Sequence, residues 1–158
     1  MIRTAVPADL DAIAALHAEA RASYYRGHLP DDAFDGPAEH ARTRAGWAAA
    51  IERGAVLCAE KDGTVAGAAA FREVGTVMTL TQLHVEPKRW RDGIGTALHT
   101  ACVQAWQRAG VRTARLEVFE HNSRAQAFYA HHGWLPDPDE PRADTHLVLR
   151  LTVPPAAE

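Results

Sequence analysis

A glycine-containing turn between a predicted strand and a predicted helix is the first feature of this sequence that could bind a ligand. It spans Val85 to Thr96, and Gly93 and Gly95 lie where the helix should begin. Glycine lets the backbone approach a ligand closely, and the N–H groups at a helix N-terminus attract phosphate or pyrophosphate. A tight turn without any ligand is the alternative, because a short glycine motif alone is a weak signal.

The residues after the turn exclude two familiar phosphate-binding loops. A P-loop requires Lys followed by Ser or Thr after its last glycine, whereas Gly95 is followed by Thr96 and Ala97. A dinucleotide-binding loop requires a further glycine three residues on, where Leu98 stands. Neither loop is therefore present in the turn.

Together with a second segment, this turn resembles a known family. Pro87 through Gly95 is followed by Asn122 and then by five further residues of the pattern, which are Ala125, Phe128, Tyr129, Gly133 and Trp134. In combination they resemble the two cofactor-binding motifs of the GNAT superfamily of acetyl-CoA-dependent N-acetyltransferases. The resemblance extends over nearly the whole chain. It departs from the family pattern at Trp90 and Arg91, where the family often has Gln or Arg followed by Gly.

The resemblance implies that acetyl-CoA is the cosubstrate. The N–H groups that would hold its pyrophosphate belong to Arg91, Asp92, Gly93, Ile94, Gly95 and Thr96. The strand backbone at Leu83, His84 and Val85 would pair with the pantetheine arm, as in β-strand addition. Asn122, in the second motif, is expected at the same cofactor site. Lys88, Arg89 and Arg91 either add charge near the phosphates or are ordinary solvated cations.

Acetyl transfer to an amine requires a base, an oxyanion stabiliser and a proton donor. A free alkyl amine has a pKa of about 10, so a carboxylate or a water chain must remove its proton. Tyr129 lies seven residues after Asn122, at the position of the family's general acid, and would protonate the departing thiolate. A strand N–H near Val85 would stabilise the oxyanion.

The base is predicted at Glu117, on a strand between Leu116 and Val118. A glutamate at this place is the base in relatives that acetylate the N-termini of ribosomal proteins. A carboxylate in a nearly buried strand also calls for a functional reason. Its rivals are Glu120, Glu73 and His84, and each of these residue types is more often structural than catalytic.

Composition and charge exclude several other classes of protein. The chain has 158 residues, 47% of them hydrophobic and 23% charged, which is typical of a single globular domain. Its net charge of −3 gives no electrostatic reason to expect nucleic acid as a partner. Without a long apolar run or a signal-peptide pattern, we predict a cytoplasmic protein with no membrane partner. Cys58 and Cys102 lie in apolar segments and are predicted to be buried thiols. The nine histidines lack ligand spacing, so we predict no metal.

The elements that must position these residues alternate between strand and helix periodicity. Strands are predicted at 2–5, 56–58, 65–71, 77–85, 113–119 and 146–153. Helices are predicted from Pro7 to about Tyr24, at 37–53, from the glycine turn to Gly110, and at 123–132. A loop at 136–143 and a frayed tail at 154–158 complete the chain.

This order of elements predicts a single α/β domain over 1–153. Consecutive strands followed by a strand–helix–strand unit favour a mixed sheet over a regular parallel one. The resemblance implies more: a mostly antiparallel sheet flanked by helices, the GNAT-like acyl-CoA N-acyltransferase fold.

The acceptor is expected to be a primary amine of a small molecule or peptide. Two acidic segments border the acceptor cleft in the resembling fold and would favour a cationic amine, namely Asp31, Asp32 and Asp35 in one and Asp137, Asp139, Glu140 and Asp144 in the other. They serve equally well as turn-forming residues. A homodimer and a monomer both stay open. A module that binds acyl-CoA without turnover is the alternative function, but it would not need Tyr129.

Overall fold

The chain, described over residues 1–156 by a computed structural model, places its helices and strands close to the predicted positions. Its first half contains β1 (Ile2–Thr4), α1 (Leu10–Tyr25), α2 (Pro37–Glu52), β2 (Val56–Lys61), β3 (Thr64–Val74) and β4 (Val77–Val85). Its second half contains α3 (Ile94–Arg108), β5 (Thr113–Phe119), α4 (Ser123–His131), β6 (Leu135–Pro136), β7 (Arg142–Ala143) and β8 (His146–Thr152). Short 3₁₀ turns lie at Pro7–Asp9, Asp31–Ala33 and Pro87–Arg89.

The strands form one mixed sheet. Its order is β1-β2-β3-β4-β5-β8-β6, and β7 also pairs with β8. The β1/β2, β2/β3 and β5/β8 pairs are antiparallel, whereas β4 and β5 are parallel, with Met78 opposite Ala114. The predicted fold class is therefore confirmed: a mostly antiparallel sheet flanked by four helices in a single domain.

Contacts within this domain cluster into two units. The first contains Met1–Phe71 and Gln82–Cys102, and its core is formed by apolar side chains of α1, α2, β2 and β3, among them Ile13, Trp47, Val56 and Ala68. Asp62 and Gly63 join β2 to β3, and both have positive φ angles, of 54° and 77°. This is the geometry that an Asp-Gly hairpin turn requires.

The second unit contains Arg72–Thr81 and the chain from Val103 onward. On β5, the side chains of Leu116 and Val118 are buried and that of Glu117 is exposed, as strand alternation requires. Two buried indoles, Trp106 and Trp134, meet edge to face with their ring centroids 6.4 Å apart. They anchor the end of α3 to the segment that follows α4.

One predicted segment was wrong. The loop expected at 136–143 includes parts of β6 and β7, two-residue strands that pair with β8, with Pro136 opposite Leu149 and Ala143 opposite His146. Such short pairings depend on a neighbouring strand and carry no local sequence signal. The predicted tail at 154–158 ends with residues 157 and 158, which lie outside the described residues.

The cysteines agree with their prediction. Cys58 and Cys102 are free and buried, and burial raises the pKa of the Cys102 thiol to about 12. Over residues 1–156, no helix is both long and apolar enough to cross a membrane.

Candidate active site

The turn that follows β4 is held in place by backbone hydrogen bonds and by one side chain. The Glu86 N–H donates to the carbonyl of Ala66 on β3 at 2.9 Å, and the Arg89 N–H donates to the carbonyl of Glu86 at 2.8 Å. The indole N–H of Trp90 donates to the carbonyl of Val85 at 3.0 Å. Trp90, one of the two departures from the family pattern, thus ties the turn to the strand and occupies that carbonyl.

The start of α3 presents backbone N–H groups. Gly93 has φ of +77°, a left-handed conformation that glycine adopts without steric cost. The Ala97 N–H donates to the Gly93 carbonyl at 3.1 Å, which closes the first turn of the helix. The N–H groups of residues 94–96 precede this bond and point out of the helix end. Gly95 and Thr96, as predicted, lie in this first turn.

Gly67 on β3 is a residue that sequence reasoning missed. A Cβ atom built there would lie 2.9 Å from Leu98 Cδ1, 3.1 Å from Ile94 Cγ2 and 3.1 Å from the His84 carbonyl oxygen. Only glycine therefore lets the first turns of α3 pack this closely against β3, beside the end of β4. The sequence signal for this contact was a glycine inside a predicted strand, because such a glycine often marks the close approach of another element.

The charged residues of the turn are mostly paired with each other. Lys88 Nζ lies 2.9 Å from Glu86 Oε1, and Arg89 Nε lies 3.4 Å from Glu86 Oε2. Lys61 Nζ lies 3.0 Å from Asp92 Oδ2, which links the turn to the β2–β3 hairpin. Arg91 is exposed to solvent. Two of the three cations predicted near the phosphates thus share one carboxylate.

In the second unit, Tyr129 is held within a group of aromatic rings. The residue is 8% exposed, and its ring centroid lies 5.4 Å from that of Phe128 and 5.9 Å from that of Trp134. The Trp134 N–H donates to the Tyr129 carbonyl at 3.0 Å. The phenol therefore belongs to a well-packed helix end.

Asn122 caps the helix that carries Tyr129. Its side-chain oxygen accepts a hydrogen bond from the Ala125 N–H at 3.2 Å, and its carbonyl accepts one from the Gln126 N–H at 3.1 Å. Asn is among the residues preferred at this position, because it satisfies an otherwise unbonded N–H of the first turn. This local role explains its place in the motif; its part in cofactor binding stays a prediction.

The candidate bases of the second unit differ in surroundings. The Glu117 side chain is 44% exposed, so the expectation of a nearly buried carboxylate was wrong. Its Oε2 lies 3.5 Å from Arg115 Nη1. Glu120 is bonded to Arg142, which lowers the pKa of its carboxyl group. Glu73 lies on the exposed end of β3.

His84 belongs to an imidazole pair in the first unit. Its ring stacks on that of His17, with centroids 4.2 Å apart and planes inclined by 24°. The Trp47 indole N–H donates to His17 Nδ1 at 2.9 Å, and His84 Nε2 lies 2.6 Å from Gln82 Oε1. Burial, followed by the charge of Arg21, lowers the pKa of His17 to about 4. Burial, with His17 and Arg21 nearby, also lowers that of His84, so both rings are neutral at pH 7.

The described residues contain no group of three or more His, Cys, Asp or Glu side chains placed to hold a metal ion.

Comparison with known proteins identifies the family. The family model of the acetyltransferase (GNAT) family matches residues 13–134. The chain belongs to this family. Both motifs from which the sequence resemblance was drawn lie inside the matched range. No curated protein sequence matches the chain.

Solved structures of this family share the fold. The Thermoplasma acidophilum PaiA N-acetyltransferase, solved in complex with coenzyme A, has a TM-score of 0.86 at 19% identity, over 96% of this chain and 98% of that chain. The Escherichia coli ribosomal-protein-S18-alanine N-acetyltransferase has a TM-score of 0.70 at 25% identity, over 100% and 96%. A Bacillus cereus GNAT-family acetyltransferase has a TM-score of 0.72 at 15% identity, over 96% of each.

Proposed function

We propose that this acetyltransferase moves the acetyl group of acetyl-CoA to a primary amine of a small molecule or peptide. The observation that carries the proposal is the turn between β4 and α3, where a left-handed Gly93 leads into a helix whose first N–H groups point outward. Such a helix start suits a pyrophosphate, because its N–H groups and dipole both favour negative charge. We assign the catalytic domain to residues 1–153.

The cofactor site is proposed at the predicted backbone groups. The N–H groups of residues 91–96 would bind the pyrophosphate, and the backbone of residues 83–85 would pair with the pantetheine arm. Because the Val85 carbonyl already accepts the Trp90 indole N–H, the arm would use other groups of this strand end. The coenzyme A complex of the Thermoplasma acidophilum relative supports acyl-CoA as the ligand class.

The reaction needs four bond changes. The amine nitrogen attacks the thioester carbonyl carbon, and a strand N–H near Val85 would stabilise the oxyanion of the tetrahedral intermediate. Glu117 would accept the amine proton, directly or through water. Collapse of the intermediate breaks the C–S bond, and Tyr129 would donate its phenolic proton to the thiolate. A tyrosine is suited to this step because its usual pKa of about 10 keeps it protonated at pH 7.

A coenzyme A sensor without turnover is the alternative function. Thiol release from acetyl-CoA, measured with a panel of primary amines, separates the two. Thiol release that depends on an amine, with a matching acetylated product, is the result expected of the enzyme. Tight acetyl-CoA binding without thiol release for every amine would favour the sensor, and absence of binding would refute both.

The charge of the acceptor stays a prediction, and several of the acidic residues on which it was based have local partners. Asp31 pairs with Arg26 at 3.4 Å, Asp35 pairs with His40 at 2.8 Å, and Asp137 accepts the N–H groups of Asp139 and Glu140. These contacts fit the turn-forming role of acidic residues. A cytoplasmic location also stays a prediction, and a homodimer and a monomer both stay open.

A further inference from the structure

A buried arginine on α1 is only partly bonded. The Arg21 side chain continues the buried face of Ile13 and His17, and the residue is 5% exposed. Its Nη1 donates to Glu39 Oε1 at 3.0 Å. Its Nε and Nη2 atoms are buried and have no hydrogen-bond partner among the described residues. Buried guanidinium N–H groups without acceptors are costly, so they call for an explanation.

The charge of Arg21 is also incompletely balanced. Glu39, its carboxylate partner, is shared with Arg42, whose Nε lies 3.0 Å from Glu39 Oε2 and whose side chain is 70% exposed. The charge of Arg21 also acts on His17, His84 and Tyr25. Burial holds the pKa of both histidines down and that of Tyr25 up, so all three are neutral at pH 7.

The unbonded atoms are those that bind carboxylates best. Nε–H and Nη2–H lie on the same edge of the planar guanidinium, and their spacing matches the two oxygens of a carboxylate. Because Glu39 is bonded to Nη1, a second carboxylate on this edge would not displace it. Tyr25 and His84 are each intermediate in exposure as whole residues, so the cluster lies close to the protein surface at these two positions. His84 is itself part of the strand end proposed to bind the pantetheine arm.

We propose that the acceptor amine also carries a carboxylate, and that the Nε–H and Nη2–H edge of Arg21 binds it. This inference rests on the proposed acetyltransferase function. Because this edge is buried, the proposal requires the side chain of Tyr25 or His84 to rotate when the ligand binds. Arg21 is then a specificity-determining residue, and an amino acid is a better acceptor than the corresponding simple amine. The acidic loops had suggested the opposite preference, but several of their carboxylates are already bonded locally.

The direct test is a titration of the wild-type protein, labelled with ¹⁵N in arginine, with propionate in the presence and absence of coenzyme A. Propionamide, which has the same shape without the charge, is the matched control ligand, and sodium chloride keeps the ionic strength constant. We expect a saturable shift of the Arg21 Nε–H resonance with propionate and none with propionamide. Equal shifts with both, or no shift with either, would overturn the proposal.

Kinetics with matched acceptors supply the second readout. For Arg21→Gln we expect the KM for β-alanine to rise about 10- to 100-fold, the size of a lost charge-assisted hydrogen bond, with little change for propylamine. Arg42→Gln is the control, because Arg42 shares Glu39 but is exposed, and its KM values should stay near wild type. Equal KM changes for the two acceptors would show that Arg21 is merely structural.

The two proposals fail in different ways. If no amine is acetylated while propionate still shifts Arg21, the acetyltransferase proposal fails and the carboxylate site stands. If amines are acetylated without any response of Arg21 to propionate, only the carboxylate site fails. The wild-type titration needs no variant, so it decides the matter even if Arg21→Gln does not fold.

Discussion

Replacing Gly93 with alanine tests whether the left-handed turn holds the cofactor. Gly93 has φ of +77°, and a Cβ built there meets nothing within 4 Å, so the cost of Gly93→Ala is backbone strain alone. An L-residue in this conformation costs about 1–2 kcal/mol. For a chain of this size, that corresponds to a fall in Tm of about 2–8 °C. The strain is relieved if φ becomes negative, which would turn the N–H groups of the turn away from the pyrophosphate.

Gly54→Ala is the matched control. Gly54, after α2, has φ of +73° and equally open space around its Cβ, but it lies outside the proposed site. Both variants should lose similar stability in thermal unfolding. Only Gly93→Ala should weaken acetyl-CoA binding in calorimetry, by about 10- to 100-fold if one charge-assisted hydrogen bond is lost. Unchanged acetyl-CoA affinity in a destabilised Gly93→Ala protein would refute the assignment of the turn.

Four further predictions test other parts of the molecule. Tyr129→Phe should lower kcat by about 100- to 10,000-fold with little change in acetyl-CoA affinity, because only the proton donor is lost, and an effect of a few-fold would assign this step to water. Gly95→Trp should abolish acetyl-CoA binding in a folded protein, as measured by calorimetry, and unchanged affinity would exclude close backbone approach there. Gly67→Ala should cost about 1–3 kcal/mol in urea unfolding, because its new methyl group overpacks against α3 and the His84 carbonyl, and a neutral result would show that α3 shifts freely. The pKa of His17 is lowered to about 4 in the folded protein, whereas the same imidazole titrates near pH 6.5 in the unfolded chain. The free energy of unfolding should therefore fall as the pH drops from 6.5 to 4, because only the unfolded chain takes up the proton. His17→Gln should flatten this part of the curve of stability against pH.

Much of the fold could be predicted because its signals are local. The Asp62-Gly63 pair specifies a two-residue hairpin turn through its own backbone preferences, and the structure has the turn there. The spacing of Ile13 and His17 predicts the buried face of α1 through helix periodicity alone. The short strands β6 and β7 were missed because each exists only through pairing with β8.

The features of the candidate site also divide into those with a local sequence signal and those that depend on distant segments. The sequence by itself determined the family, the glycine turn and the positions of Tyr129 and Asn122, because motif residues lie close together along the chain. Only the tertiary structure decided that Glu117 is exposed, that Gly67 makes room for α3, and that Arg21 is buried with two N–H groups unbonded. These properties depend on side chains brought together from distant segments, and burial, close approach and hydrogen bonding are set by those neighbours rather than by local residue type.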